Sequence, residues 1–241
     1  MFLNTSFRRY LLADGNPDLI DVYKRLLREQ GRFIAACRRL FSEENNSADR
    51  YYAYRDEFNS SRSRRRRAEL FVYLNRHCYN GLCRYNSKGQ FNSPFGLYRR
   101  PYFPEREMQQ FITAAGKAEF MHAGFDDSMA RARRGDVVYC DPPYAPLSAT
   151  ACFTDYHTGG FRWPDQVRLA DLAARLADRG VQVVVSNHDT ADIRRLYQDA
   201  GAQLEFLQVR RNISCRADGR KPVAELLAVF GQGCAPAVHT C

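Results

Sequence analysis

Val137-Val138-Tyr139-Cys140-Asp141-Pro142-Pro143-Tyr144 decides how the chain is read. Four apolar residues predict a buried strand, and the next four predict the loop at its carboxyl end. In α/β sheets that end is where chemistry is placed. The two prolines remove two backbone donors and stiffen the turn. Asp141 offers a side-chain acceptor, the Pro142 carbonyl a second acceptor, and Tyr144 a flat stacking face. Two acceptors so close suit an exocyclic amino group on a nucleobase. They can hold both N–H hydrogens and aim the nitrogen lone pair at an electrophilic methyl group. A base inside a duplex reaches such a site only by flipping out of the stack. The same residues also fit a plainer role, a proline-stiffened strand end capped by an aspartate.

Outward from this stretch, the pattern predicts strands at Tyr10–Ala13, Glu119–Ala123, Val181–Val185, Leu204–Val209 and Glu225–Phe230. Helices are predicted at Leu19–Phe41, with Gly31 as a kink or split, then at Asp126–Arg134, Asp165–Arg179 and Thr190–Ala200. Ser42–Asp49 reads as a polar loop. Residues 145–163 read as a loop closing over the site, and Arg216–Pro222 as a basic loop. From residue 119 onward strand and helix alternate, ending in two closely spaced strands. That implies a doubly wound, mostly parallel sheet with an antiparallel end.

The chain has 241 residues, of which 45% are hydrophobic, enough for a real core. Its net charge is +9, and that excess is local: residues 17–104 hold 18 Lys and Arg against 9 Asp and Glu, while the remainder is balanced at 18 and 18. A basic, mainly helical insertion between two early strands points to a polyanionic partner. Within it, Arg64-Arg65-Arg66-Arg67 is either a solvated helix end or a phosphate contact. The stretch 75–104 mixes Asn, Arg, Tyr and Gly. Arg and Asn can pair with guanine and adenine edges, and Asn86-Ser87-Lys88-Gly89 forms a good hairpin turn for presenting them to a groove. Asp14, at the end of the first strand, is placed either to bind ribose hydroxyls or to serve the following helix start. The eight cysteines lack the spacing of a zinc site and read as free thiols of a reducing cytosol. No run is long and apolar enough for a membrane span, and the start carries no signal-peptide pattern.

At this point the chain resembles the Dam family of DNA adenine-N6 methyltransferases, which act on GATC. The likeness covers nearly the whole length through "YLLADGNPDLI", "YLNRHCYNGLCRYN", "FNSPFG", "VVYCDPPYAPLSAT" and "SNHDT" in family order. It implies a Rossmann-like S-adenosylmethionine-dependent methyltransferase sheet with an inserted helical, basic DNA-recognition domain and a β-hairpin. The catalytic domain would comprise residues 1–16 and 105–241, and the recognition domain residues 17–104. Asp141 and the Pro142 carbonyl would hold the adenine amino group, Pro143 would stiffen the turn, and Tyr144 would stack on the flipped base. Asp14 and Phe125 would bind the ribose and adenine of S-adenosylmethionine, beside Asp141. Arg84 would read guanine. Tyr79, Asn80, Leu82 and Pro94 would contact or wedge the recognition pairs. Arg55, Arg76, Asn86, Tyr98 and Ser148 would meet phosphates or support the hairpin. The partner would be double-stranded DNA containing GATC, met by a monomer without a metal, in the cytoplasm at the nucleoid.

Leu97 and Gly124 depart from the family, which often carries a basic residue at the first position and a polar one at the second. The start departs more. Family members open with a "KWAGGK"-like block, a strand and a Gly-rich turn that hold the cofactor's methionine end. Here "MFLNTSF" resembles the family's "SVFLNTDF" entered midway. That implies a truncated chain with weak cofactor binding, either an impaired enzyme or a non-catalytic GATC-binding remnant. Methylation of cytosine N4 or of RNA is a third reading, disfavoured by Asn80–Pro94.

Overall fold

The computed structural model describes residues 2–146, 161–209 and 223–231. The chain forms a mixed α/β structure of two compact units, Met1–Gly124 and Phe125–Cys241.

The first unit opens with strand β1 (Tyr10–Asp14), which pairs in parallel with β2 (Ala118–His122). The helices of this unit lie between those two strands in the chain. Helix α1 (Pro17–Glu29) starts where its residues dictate. The Asn16 side chain accepts the N–H groups of Asp18 and Leu19, and Pro17 supplies a pre-set φ at the first helical position. The helix expected to run from Leu19 to Phe41 breaks at Gln30, one residue before the suspected glycine. Gln30 has φ 48°, and Gly31 begins α2 (Gly31–Arg38). Gln30 serves both helices: its N–H bonds Leu26 O, and its carbonyl accepts the N–H groups of Phe33 and Ile34. Ser42–Asp49 is more ordered than a plain loop. It holds a 3₁₀ turn, Glu43–Asn45, and Ser47 caps α3 (Ala48–Ser60).

Helix α4 (Arg64–His77) is the centre of this unit. Its face Ala68, Leu70, Phe71, Val72, Tyr73 and Leu74 is buried among Phe33, Tyr51 and Phe58, all fully buried. Each such large side chain contributes roughly 1.5–3 kcal/mol by leaving water. Of the aromatic residues on α3, Tyr51 and Phe58 are core, Tyr54 packs against it and Tyr52 is exposed. Three of the four arginines at the start of α4 pair within the chain: Arg65 with Glu29 and Glu69, Arg66 with Glu57 and Glu69, and Arg67 with Asp18, while Arg64 and Arg65 remain exposed. Helix α5 (Glu105–Ala114) leads to β2 and sets Phe111 against Tyr23 and Phe120.

The second unit is a four-stranded sheet in the order β3-β4-β6-β5, from β3 (Val137–Cys140), β4 (Gln182–His188), β5 (Gln203–Val209) and β6 (Val223–Phe230). Only β3 and β4 are parallel, and β6 runs antiparallel to both of its neighbours. The expected mostly parallel sheet is thus, among the described residues, a parallel pair in one unit and a mixed sheet in the other. Insertion of the closing strand between β4 and β5 supplies the antiparallel character. The predicted helix Asp126–Arg134 is shorter, α6 (Phe125–Met129). Helix α7 (Trp163–Asp178) packs Leu169, Ala170, Ala173 and Leu176 on the sheet, and α8 (Ala191–Asp199) adds Ile193 and Tyr197. Small alanines on α7 let its axis approach the strands. β4 runs three residues beyond the expected Val185, because β6 pairs with Ser186, Asn187 and His188. That extension puts three polar residues into a buried strand end.

Candidate functional site

The Asp141-Pro142-Pro143-Tyr144 turn follows β3 directly and is gripped by the polar end of β4. Ser186 Oγ donates to Asp141 Oδ1 at 2.9 Å and lies 3.3 Å from Cys140 O. Asn187 is fully buried. Its Oδ1 accepts Ala145 N at 3.0 Å, and its Nδ2 donates to Gln166 Oε1 at 3.1 Å and Tyr197 Oη at 3.2 Å. Gln166 Nε2 in turn donates to Pro143 O at 2.9 Å. Since prolines donate nothing, this amide network supplies the donors that fix the turn. It takes the carbonyl of Pro143, not that of Pro142.

Tyr144 is half-buried, edge-on to His188 with ring centroids 4.9 Å apart. Its hydroxyl lies 3.4 Å from Glu225 Oε2. Burial, then the Asp141 and Glu225 carboxylates, push its phenol up to about 12, with Ser186 opposing, so it is neutral near pH 7. His188 Nδ1 lies 2.7 Å from Ala145 O. A carbonyl only accepts, so Nδ1 carries the hydrogen. Asp141 itself is exposed. The arrangement presents a held carboxylate beside a rigid turn and an oriented ring. Phe125, in the same unit, is half-buried against Phe161, with Arg168 5.0 Å over its ring.

In the first unit, Asp14 ends β1 with its carboxylate exposed, and Oδ1 accepts Asn16 N at 2.7 Å. Asn16 caps α1, and His122 Nε2 lies 3.2 Å from Gly15 O. Of the two residues that could open α1, Asp18 and Asn16, the cap is Asn16, and Asp14 holds its backbone N–H.

The same unit carries the loop between Cys78 and Tyr98. The expected hairpin is present as two isolated antiparallel bridges, Cys78–Phe95 and Tyr85–Phe91, closed by the Asn86–Gly89 turn. Asn86 builds that turn: its Oδ1 accepts Lys88 N and Gln90 N. Helix α3 stitches the loop down. Asn59 bonds both backbone groups of Phe91, and Tyr51 Oη donates to Ser93 O at 2.9 Å. Ser93 Oγ accepts Arg84 N at 3.1 Å and donates to Leu82 O. Arg84 is exposed, with Nε 3.0 Å from Asn92 Oδ1 and Nη2 3.2 Å from Asn92 O.

Tyr79, Leu82 and Pro94 are exposed on this loop, an apolar group beside an arginine. Tyr79 N donates to Pro94 O at 2.9 Å. Asn80 adopts a left-handed φ of 52°, followed by Gly81 at 67°, and Tyr98 Oη accepts Asn80 N at 2.9 Å. Left-handed asparagine is uncommon and clusters at functional turns. Tyr98 is therefore a support. Arg76 reaches past the loop, its Nε donating to Tyr102 O at 3.0 Å. Arg55 and Asn86 line an open polar cleft of about 320 Å³ with Asp56, Asn59, Gln90 and Asn92. Ser148 lies outside the described residues.

Sequence reasoning did not single out Ser186, Asn187, Gln166, Glu225, Asn59 or Asn92. The "SNHDT" block held part of the signal, but Gln166 comes to the turn through the packing of α7 on the sheet and Glu225 through the pairing of β6 with β4. Among the described residues no helix is long and apolar enough to cross a membrane.

Comparison with known proteins agrees with this chemistry. The family described as D12 class N6 adenine-specific DNA methyltransferase matches residues 1–213. The chain is 52% identical over 233 residues to a DNA adenine methylase of Escherichia coli strain K12, covering 97% of this chain and 83% of that protein. It is 52% identical over 235 residues to a DNA adenine methylase of Salmonella typhi, covering 98% and 84%. A DNA adenine methylase of Vibrio cholerae is 50% identical over 231 residues, covering 95% and 83%.

Proposed function

The chain belongs to the D12 class of N6 adenine-specific DNA methyltransferases, and from that premise we propose that it methylates adenine N6 in GATC after flipping the base, with S-adenosylmethionine as donor. The observation that carries the reading is Asp141, held by Ser186 at the head of a proline-stiffened turn that ends in an oriented tyrosine.

Asp141 accepts one N6 hydrogen and the Pro142 carbonyl the other. Tyr144 stacks on the extruded adenine. Holding the amino group between two acceptors aims its lone pair, and such placement supplies much of the rate. S-adenosylmethionine, when bound, supplies the electrophilic methyl group. The residues suit that donor: Asp14 offers an exposed carboxylate at a parallel strand end, the type of acceptor that takes ribose hydroxyls, and Phe125 offers a half-buried ring for the adenine moiety.

Residues 17–104 serve as the recognition domain, inserted into a Rossmann-like catalytic domain formed by 1–16 and 105–241. Arg84 reads the guanine. A guanidinium has five N–H donors, and Asn92 engages two nitrogens along one edge, which presents the other edge to a base. Tyr79, Leu82 and Pro94 wedge the neighbouring base step, and Asn80 contacts the recognition pairs from its left-handed turn. Arg55 lies by the polar cleft, where it meets a phosphate. Asn86 and Tyr98 hold the loop, Arg76 holds the segment just past it, and Ser148 contributes a backbone contact. The enzyme acts as a monomer on double-stranded DNA at the nucleoid, without a metal.

The test is methyl transfer from labelled S-adenosylmethionine by the 241-residue chain, with a duplex bearing one GATC and a scrambled control. Transfer to the GATC duplex alone is expected. Equal transfer to both would refute the specificity. GATC-selective binding without transfer would favour a recognition remnant.

A further inference from the structure

Asp18, near the start of α1, is a buried carboxylate on which two separate elements converge. Arg67 of α4 donates to Oδ1 from Nε at 3.1 Å and from Nη2 at 2.8 Å, and to Oδ2 from Nη2 at 3.0 Å. Tyr85 Oη donates to Oδ2 at 2.9 Å. Tyr85 directly follows Arg84, and its ring packs edge-on against Phe91 at 5.6 Å. On the other side, Asp18 N donates to Asn16 Oδ1 at 3.0 Å, and Asn16 N donates to Asp14 Oδ1 at 2.7 Å. Hydrogen bonds joined through the covalent frames of Asn16 and Asp18 therefore connect Asp14 to Tyr85. One buried carboxylate thus links α1 both to α4, through Arg67, and to the loop, through Tyr85.

We propose that Tyr85 is a positioning residue that, through Asp18, ties the seating of the DNA-reading loop to the placement of the Asp14 turn, so that reading the sequence and holding the methyl donor are one coupled event. The proposal rests on the recognition reading given above. Burial, then the Asp18 charge, keep the Tyr85 phenol well above its ordinary value, so it remains a donor throughout the working pH range. Two sites joined in this way influence each other in both directions.

The experiment is hydrogen–deuterium exchange on the full 241-residue chain and on Tyr85→Phe, each alone and with GATC or scrambled duplex. Phenylalanine keeps the ring and removes only the hydroxyl. In the wild type, GATC duplex is expected to slow exchange at residues 79–95 and also at 15–20, the latter by about fivefold, the low end of inter-site coupling. In Tyr85→Phe the protection at 79–95 should persist and that at 15–20 should vanish. Equal protection at 15–20 in both proteins overturns the proposal. So does a wild type protected at 79–95 but not at 15–20, whatever the variant's fold. No protection at 79–95 in either protein would instead refute the recognition reading and the proposal together.

Discussion

The Ser186 hydroxyl donates to Asp141 Oδ1 across the parallel β3–β4 pair at 2.9 Å. A hydrogen bond to a charged acceptor is worth about 1.5–3 kcal/mol. Here it fixes the rotation of the carboxylate that, on the proposed reading, would receive the amino group. Ser186→Ala should therefore lower kcat roughly 10- to 100-fold with the KM for DNA little changed. Single-turnover methylation on a GATC duplex measures this. A raised KM with unchanged kcat would assign the serine to binding.

Asp141→Ala should abolish transfer and leave DNA binding largely intact, as read by gel shift beside the transfer assay. Retained turnover would remove Asp141 from the mechanism.

Asn92 grips one edge of Arg84. Arg84→Ala should loosen preference at the first base of the site, costing on the order of 1–3 kcal/mol of discrimination. Asn92→Ala should act in the same direction, more weakly, by freeing the guanidinium to swing. The check is competition between GATC and duplexes changed at that base. Equal losses on every duplex would contradict a reading role for either residue.

Gly96 has no room for a side chain. A Cβ there would come within 2.6 Å of Tyr98 Cε2 and 2.8 Å of Cys78 O. The carbonyl cannot retreat without moving the bridge that starts the reading loop. Gly96→Ala should cost about 1–3 kcal/mol of stability and weaken site-selective binding, because Tyr98 also carries the Asn80 turn. Thermal melting and binding, measured together, test both halves.

His77 is buried, stacked on Tyr73 with ring centroids 3.8 Å apart, its Nδ1 2.9 Å from Tyr73 O. Burial pulls its titration down to about 4. The folded protein thus holds a neutral imidazole that the unfolded chain protonates near 6.5. Stability from this group is fully present above pH 6.5 and drains away as pH falls toward 4, by up to about 3 kcal/mol. Urea melts between pH 7 and 4 should show this slope, and His77→Gln should flatten it. An unchanged slope would place the acid sensitivity elsewhere.

The end of β3 was legible in the sequence because local residues fix it: apolar Val137–Cys140 followed by Asp141 and two prolines. The break at Gln30 was not, since glycine is the usual suspect and the left-handed residue was its neighbour. Asp141 and Tyr144 could be named from their chemistry, but not the groups that orient them. Gln166 and Glu225 lie 25 and 84 positions from Asp141; the packing of α7 on the sheet brings the first beside the turn, and the order β3-β4-β6-β5 brings the second. The hairpin was overestimated for a related reason. Asn86–Gly89 makes its turn locally, yet helix α3, through Asn59 and Tyr51, takes up backbone groups that a continuous ladder would have used.

The ion pairs at the head of α4 bear on how this enzyme senses ionic strength. Counterions leave DNA in proportion to the phosphates a protein neutralises, with a slope of about −0.9 per phosphate in a plot of log affinity against log salt. Arg65, Arg66 and Arg67 already face carboxylates of their own chain, so each should displace fewer counterions than an unpaired arginine. The densest cationic run in the sequence should then add less to that slope than its four charges suggest, with the arginines of the loop and the cleft contributing the larger share.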